Sequence, residues 1–70
     1  METALEIMVN GEHRVAAQGA TVADLLQELK LPPGRVAIER NLEILPRPRW
    51  NETLVRTGDS YEIVHFVGGG

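Results

Sequence analysis

Thr21-Val22-Ala23-Asp24-Leu25-Leu26-Gln27-Glu28-Leu29-Lys30 decides the fold of this 70-residue chain. Val22, Leu25, Leu26 and Leu29 recur at helical spacing and leave Asp24, Gln27 and Glu28 for solvent, so the stretch predicts one amphipathic helix beginning at Val22. Thr21 is placed to cap it, and Asp24, three positions on, completes a capping-box-like pattern in which a carboxylate also complements the helix dipole. Lys30 puts a cation at the helix end, and Leu31-Pro32-Pro33-Gly34 stops the helix, because proline cannot continue it. The leucine stripe reads as core rather than as a partner-binding box. One helix cannot bury such a stripe alone, so the flanking sequence must cover it.

On the N-terminal side, Ala4-Leu5-Glu6-Ile7-Met8-Val9 is apolar with β-branched members and runs into Asn10-Gly11. Asn-Gly marks a hairpin, since a type I′ turn needs positive φ at both central residues. Glu12–Ala16 is then the returning strand, with His13 and Val15 on one face and Glu12 and Arg14 on the other. His13 is read as a sheet residue.

On the C-terminal side, residues 35–40 read as a third strand, Asn41-Leu42 as a tight turn and Glu43–Leu45 as a short fourth strand ended by Pro46. Pro46-Arg47-Pro48-Arg49-Trp50 cannot be a central strand, because two of its five residues lack an amide hydrogen. It is placed in a loop leading to one helical turn at residues 50–53. Trp50, the only tryptophan, is read as an anchor packing that segment on the sheet edge, with a contact role as the alternative. Arg47, Arg49 and Arg56 are read as a solvated basic edge, again with docking as the alternative. Leu54 and Val55 are expected in the core, and Thr57-Gly58-Asp59 turns the chain. Residues 61–67 form a last strand that runs straight into Gly68-Gly69-Gly70.

Two hairpins flanking one helix bury its stripe only if the sheet wraps around it with the last strand inside, beside the first. The expected class is α+β, a ubiquitin-like β-grasp with a mixed four- to five-stranded sheet around one main helix. Residues 1–67 form the domain and 68–70 a flexible glycine tail. Along the last strand Tyr61 and Ile63 alternate inward, which leaves Val64 and Phe66 as exposed apolar residues beside the tail and, with Val67, as a candidate docking surface. The competing reading folds Phe66 back over the core.

Composition narrows the function. Without cysteine the chain has no disulfide and no thiolate for metal, persulfide or thioester, so acyl or sulfur chemistry must use the C-terminal carboxylate. Two isolated histidines make no structural zinc site. Ten acidic against seven basic residues, and few aromatics, argue against a nucleic-acid surface. No apolar run is long enough to span a membrane, and the start lacks the features of a signal peptide, so a cytoplasmic protein, monomeric when free, is expected. No paired carboxylates, activated nucleophile or phosphate-cradling loop is visible, so no catalytic residue is assigned.

Asn10-Gly11, the helix from Thr21 to Leu29, Val36-Ala37-Ile38-Glu39-Arg40-Asn41, Ile44-Leu45-Pro46-Arg47, Trp50, Gly58-Asp59 and residues 62–70 together resemble the ThiS family of sulfur carriers from thiamine biosynthesis. Their order, spacing and end point carry the resemblance over nearly the whole chain; Pro48 within the Pro-Arg-x-x-Trp stretch departs from it. The resemblance implies that a ThiF-like enzyme, using ATP and magnesium, adenylates the Gly70 carboxylate. Sulfur from a cysteine desulfurase system then makes a thiocarboxylate, which a ThiG-like thiazole synthase consumes. Gly68 and Gly69 would thread the tail into the activating enzyme, and the chain itself would bind no cofactor. A molybdopterin-type carrier and a ubiquitin-like protein modifier share the same early chemistry, while a β-grasp ligand- or RNA-binding module is the reading from another class.

Overall fold

The computed structural model of the protein describes residues 4–66. The elements are β1 (Leu5–Val9), β2 (Glu12–Ala16), α1 (Val22–Glu28), β3 (Val36–Arg40), β4 (Glu43–Leu45) and β5 (Ser60–His65), with 3-10 turns at Pro33–Arg35 and Arg47–Arg49. The sheet has all five strands in the order β2-β1-β5-β3-β4. The last strand lies in the centre, parallel to β1 and antiparallel to β3. This is the ubiquitin-like β-grasp arrangement, with β5 as the strand that joins the two hairpins.

Sequence alternation decides which face of the sheet is dry. Ile7, Val9, Ala16, Val36, Ile38, Tyr61 and Ile63 point inward and meet Val22, Leu25 and Leu26 of α1, with Trp50 and Val55 closing the core from the connecting loop. Leu29, the fourth member of the helical stripe, packs against this cluster while only partly buried. Each fully buried aliphatic side chain of this size contributes about 2 kcal/mol relative to exposure. The helix exists because the sheet offers its stripe a place to go, since seven residues are too few to hold a helix in water.

The ends of α1 account for all their exposed donors. Thr21 Oγ1 accepts from the Asp24 amide at 3.1 Å, and the Asp24 carboxylate accepts from the Thr21 amide at 3.0 Å, which completes the predicted capping box. The two amides before Asp24 are bound by the loop that crosses the helix start: Val22 donates to the Thr53 carbonyl and Ala23 to the Trp50 carbonyl. At the other end, Leu31 N–H reaches the Leu26 carbonyl and Lys30 N–H the Gln27 carbonyl, the two bonds of a Schellman motif. Lys30 therefore occupies the left-handed position that glycine usually fills, with φ 60°. The helix is ended by this turn before the prolines are reached.

Three expectations about the loops are corrected. The helical turn lies at Arg47–Arg49, with Trp50 as its C-cap, and not at 50–53, because Pro46 and Pro48 have the fixed φ that suits the start of a helical turn. Arg35 belongs to the 3-10 turn and not to the third strand. Leu54 is 51% exposed rather than core, since it forms a bridge to Thr21 at the rim of the sheet while Val55 alone turns inward.

A non-glycine residue at left-handed φ costs about 1–2 kcal/mol. Lys30→Gly relieves that strain and should raise the stability of the domain by about 0.5–1 kcal/mol, read as a higher urea midpoint with unchanged slope. A lower midpoint would show that the Lys30 side chain contributes more than its backbone costs.

Candidate functional site

The site is built on β5, whose central position is fixed by side chains from both hairpin turns. Asn10 and Asn41 each open a two-residue turn at positive φ, 50° and 53°. Each then uses its amide to bind β5. Asn10 N–H donates to the Tyr61 carbonyl at 2.8 Å, its Oδ1 accepts from Ile63 N–H at 2.7 Å, and its Nδ2 donates to the Ile63 carbonyl at 3.2 Å. The side chain thus continues the parallel ladder beyond the end of β1. Asn41 extends the antiparallel ladder beyond β3 on the other side, with N–H to the Ser60 carbonyl at 2.8 Å and Oδ1 accepting from Ser60 N–H at 2.9 Å.

Asp59 lies just before β5 and is 5% exposed. Its Oδ2 accepts from the Tyr61 hydroxyl at 2.8 Å, the Arg56 amide at 2.9 Å and Arg40 Nε at 3.1 Å, while Oδ1 accepts from Asn41 Nδ2 at 3.2 Å. Burial by itself pushes this carboxyl up. The opposing bonds from the Arg56 amide, Tyr61, Asn41 and Arg40 together hold it below the ordinary carboxylate value. Tyr61, wholly buried, is pushed up to about 12 by burial and by the hydrogen bond it gives to Asp59. The cluster is therefore charged in a fixed pattern at neutral pH, and every bond it makes serves the position of β5.

The outer face of β5 carries the predicted apolar residues. Tyr61 and Ile63 are buried, whereas Val64 is 57% and Phe66 52% exposed, so Phe66 does not fold back over the core. His65 is exposed even though it shares the inward register with Tyr61 and Ile63, because it lies at the end of the sheet, opposite Val36. Phe66 N–H still donates to the Arg35 carbonyl at 2.7 Å, so the strand is held to its last described residue. Val67, Gly68, Gly69 and Gly70 lie outside the described residues.

Trp50 and the arginines resolve into structure more than site. Trp50 is buried and donates its indole N–H to the Leu45 carbonyl at 2.9 Å. The Arg47 guanidinium lies 5.3 Å from the Trp50 ring centroid and donates to the Val36 carbonyl at 3.3 Å. It covers the tryptophan as a cation over an aromatic face. Arg49 and Arg56 are exposed. Among the described residues no group of three His, Cys, Asp or Glu side chains could hold a metal ion, and no helix is long and apolar enough to cross a membrane. The arrangement offers a central strand, hydrogen-bonded as far as Phe66, with Val64 and Phe66 exposed on its outer face.

These features define a ubiquitin-like β-grasp domain with the last strand of the chain at the centre of its sheet. The ThiS family model matches residues 3–70, and the chain belongs to the ThiS family. It is 30% identical over 66 residues to the sulfur carrier protein ThiS of Escherichia coli, covering 94% of this chain and 100% of that protein. The crystal structure of a thiamine biosynthesis protein (ThiS) from Geobacter metallireducens superimposes with a TM-score of 0.76 at 36% identity, covering 94% of this chain and all of that one. A thiazole synthase of Paramagnetospirillum magneticum is 44% identical over 94% of this chain, which spans only 20% of that protein's length.

Asp59 is the residue whose role the sequence reading missed; Gly58-Asp59 signalled a turn and nothing about a buried carboxylate with four donors. Asp59→Ala leaves the Arg40 charge and the Tyr61 hydroxyl without their partner and should cost about 2–4 kcal/mol at pH 7 by urea unfolding. The native carboxyl binds its proton more weakly than the unfolded one. Its contribution is therefore complete above the unfolded value near about 4 and is lost as pH falls through the native value. The gap between parent and Asp59→Ala should narrow between about pH 5 and pH 2, and a constant gap would remove the carboxylate's charge from the explanation. Phe66→Ala, at a half-exposed site, should change stability by less than about 1 kcal/mol; a larger loss would return Phe66 to the core.

Proposed function

We propose that this chain is a sulfur carrier for thiamine biosynthesis and acts as a co-substrate rather than as an enzyme. The observation that carries the reading is a ThiS-family match that extends through the terminal glycines on a domain whose central strand leads to them. A carboxylate at neutral pH resists nucleophiles. In the proposed sequence a Gly70 carboxylate oxygen attacks the α-phosphorus of ATP, pyrophosphate leaves, and the resulting acyl adenylate makes AMP the leaving group. A persulfide sulfur drawn from cysteine then attacks the glycyl carbon and expels AMP, and a thiol cleaves the resulting acyl disulfide, which leaves the thiocarboxylate and a new disulfide on the sulfur donor. A ThiF-like adenylating enzyme supplies ATP and magnesium, because the chain contains no Gly-rich phosphate-binding motif of its own.

Gly68, Gly69 and Gly70 serve this chemistry by lacking Cβ atoms where the tail must pass close to the nucleotide. Four residues beyond Phe66 reach at most about 14 Å when extended, so an enzyme acting on Gly70 must also come close to the end of β5. Those two residues, with Val67, form the proposed docking surface. The likeness to thiazole synthases that contain a stretch of this kind supports a ThiG-like thiazole synthase as the protein that consumes the thiocarboxylate.

Incubation with ATP, magnesium, a cysteine desulfurase with cysteine and a ThiF-like enzyme should raise the intact mass by about 16 Da, one oxygen replaced by sulfur. Addition of thiazole synthase with its substrates should restore the starting mass. Gly70→Val should fold normally and show no gain, and a gain at the parent rate would overturn the role given to the terminal glycine. Phe66→Ala should weaken the complex with the activating enzyme by about 1–3 kcal/mol in a binding titration.

A further inference from the structure

The outer face of β5, β3 and β4 carries a pairing that the fold does not need. The register sets Glu62 directly opposite Glu39, and Val64 opposite Ala37, while Glu39 is in turn opposite Ile44 on β4. All five side chains are exposed, Ile44 by 75%. Together with Ile38 they line a shallow depression of about 210 Å³. Like charges directly opposite each other on a sheet face destabilise it. Among the described residues the ion pairs are His13–Glu6, Arg14–Glu12 and Arg40–Asp59, so neither Glu39 nor Glu62 is paired with a cation among them.

An apolar floor with two carboxylates at its rim is complementary to one kind of side chain. A guanidinium can bridge two carboxylates through its fork of N–H donors, while its methylene stem lies along aliphatic surface. The depression begins at Val64, on the same outer row as Phe66, and so continues the docking surface proposed for the activating enzyme.

We propose that this depression receives an arginine side chain of the ATP-dependent activating enzyme. The stem packs on Ile44 and Val64, and the guanidinium sits between Glu39 and Glu62. The assignment deepens the docking surface proposed above and rests on the carrier reading. It extends that surface from β5 across β3 to β4, and it gives the surface a charge: the carrier side is acidic and the partner side basic. Association is then electrostatically steered and weakens with salt, while the adenylation step itself is untouched.

The test compares the parent, Glu39→Gln, Glu62→Gln and the double variant in the ATP-dependent mass-gain assay, at about 25 mM and about 300 mM salt. Urea unfolding is run on each. The double variant should raise the KM for the carrier about tenfold at low salt, keep kcat within about twofold, and differ from the parent by less than about threefold at high salt. Its stability should equal or exceed that of the parent, because a like-charge pair has been removed. That separates recognition from a structural role. Ile44→Ala should raise KM by about the same factor at both salt concentrations. A double variant with the parent's KM at low salt, while the parent is modified, overturns the proposal and leaves the carrier reading intact. An unchanged KM with slower sulfur transfer to thiazole synthase overturns the choice of occupant. No mass gain in the parent with a demonstrably active enzyme overturns the carrier reading and this proposal together.

Discussion

The carboxylate of Asp59 is the interaction on which the rest of this fold depends. Its four donors come from β3, from the β3–β4 turn, from the loop before β5 and from β5 itself. A single ionised group therefore ties the second hairpin to the strand that must enter the sheet last. The same loop is joined to β1, since Gly58 N–H donates to the Glu6 carbonyl and Met8 N–H to the Asp59 carbonyl. A domain of this size has only a modest core, so a buried, fully bonded carboxylate carries weight that a larger protein would distribute over many apolar contacts.

The consequence for function is mechanical. A parallel pair needs a crossover and cannot be formed by a tight turn, so β5 has no local device to set its register against β1. Asn10 provides it, and Asn41 does the equivalent against β3, because each places an amide at the start of a hairpin turn where it can mimic the backbone of a further strand residue. Clasped from both turns, β5 has little freedom to slide. A slip of one residue would move Val64 and Phe66 into the core and bring Tyr61 and Ile63 to the surface. The outer face that carries Val64 and Phe66 is thus defined by two asparagines and an aspartate that do not themselves belong to it.

Where the sequence reading departed from the structure, the causes were backbone geometry and contacts that residue identity does not signal. Leu54 resembles Val55 in every local respect, but its bridge to Thr21 turns it outward. Lys30 carries no backbone signal in its identity, and only the closing bonds from residues 30 and 31 back to 27 and 26 require its left-handed φ. Trp50 was legible as an anchor because a lone large aromatic just after Pro46 and Pro48 has few other places to go. The cation of Arg47 over its ring was not legible, since the pairing depends on a 3-10 turn whose position was displaced.

The sequence by itself determined the helix, both hairpins and the inward members of β5, because these follow from periodicity, turn chemistry and capping among residues close in the chain. It also determined the family, through the order of those pieces and the glycine terminus. Only the tertiary structure decided the roles of Asp59, Asn10 and Asn41, and the facing of Glu39 with Glu62. Asp59 meets Arg40 and Asn41 across 19 and 18 residues, and Asn10 meets Ile63 across 53. No local pattern encodes partners at such separations, because they become neighbours only once the last strand has taken the place between the two hairpins.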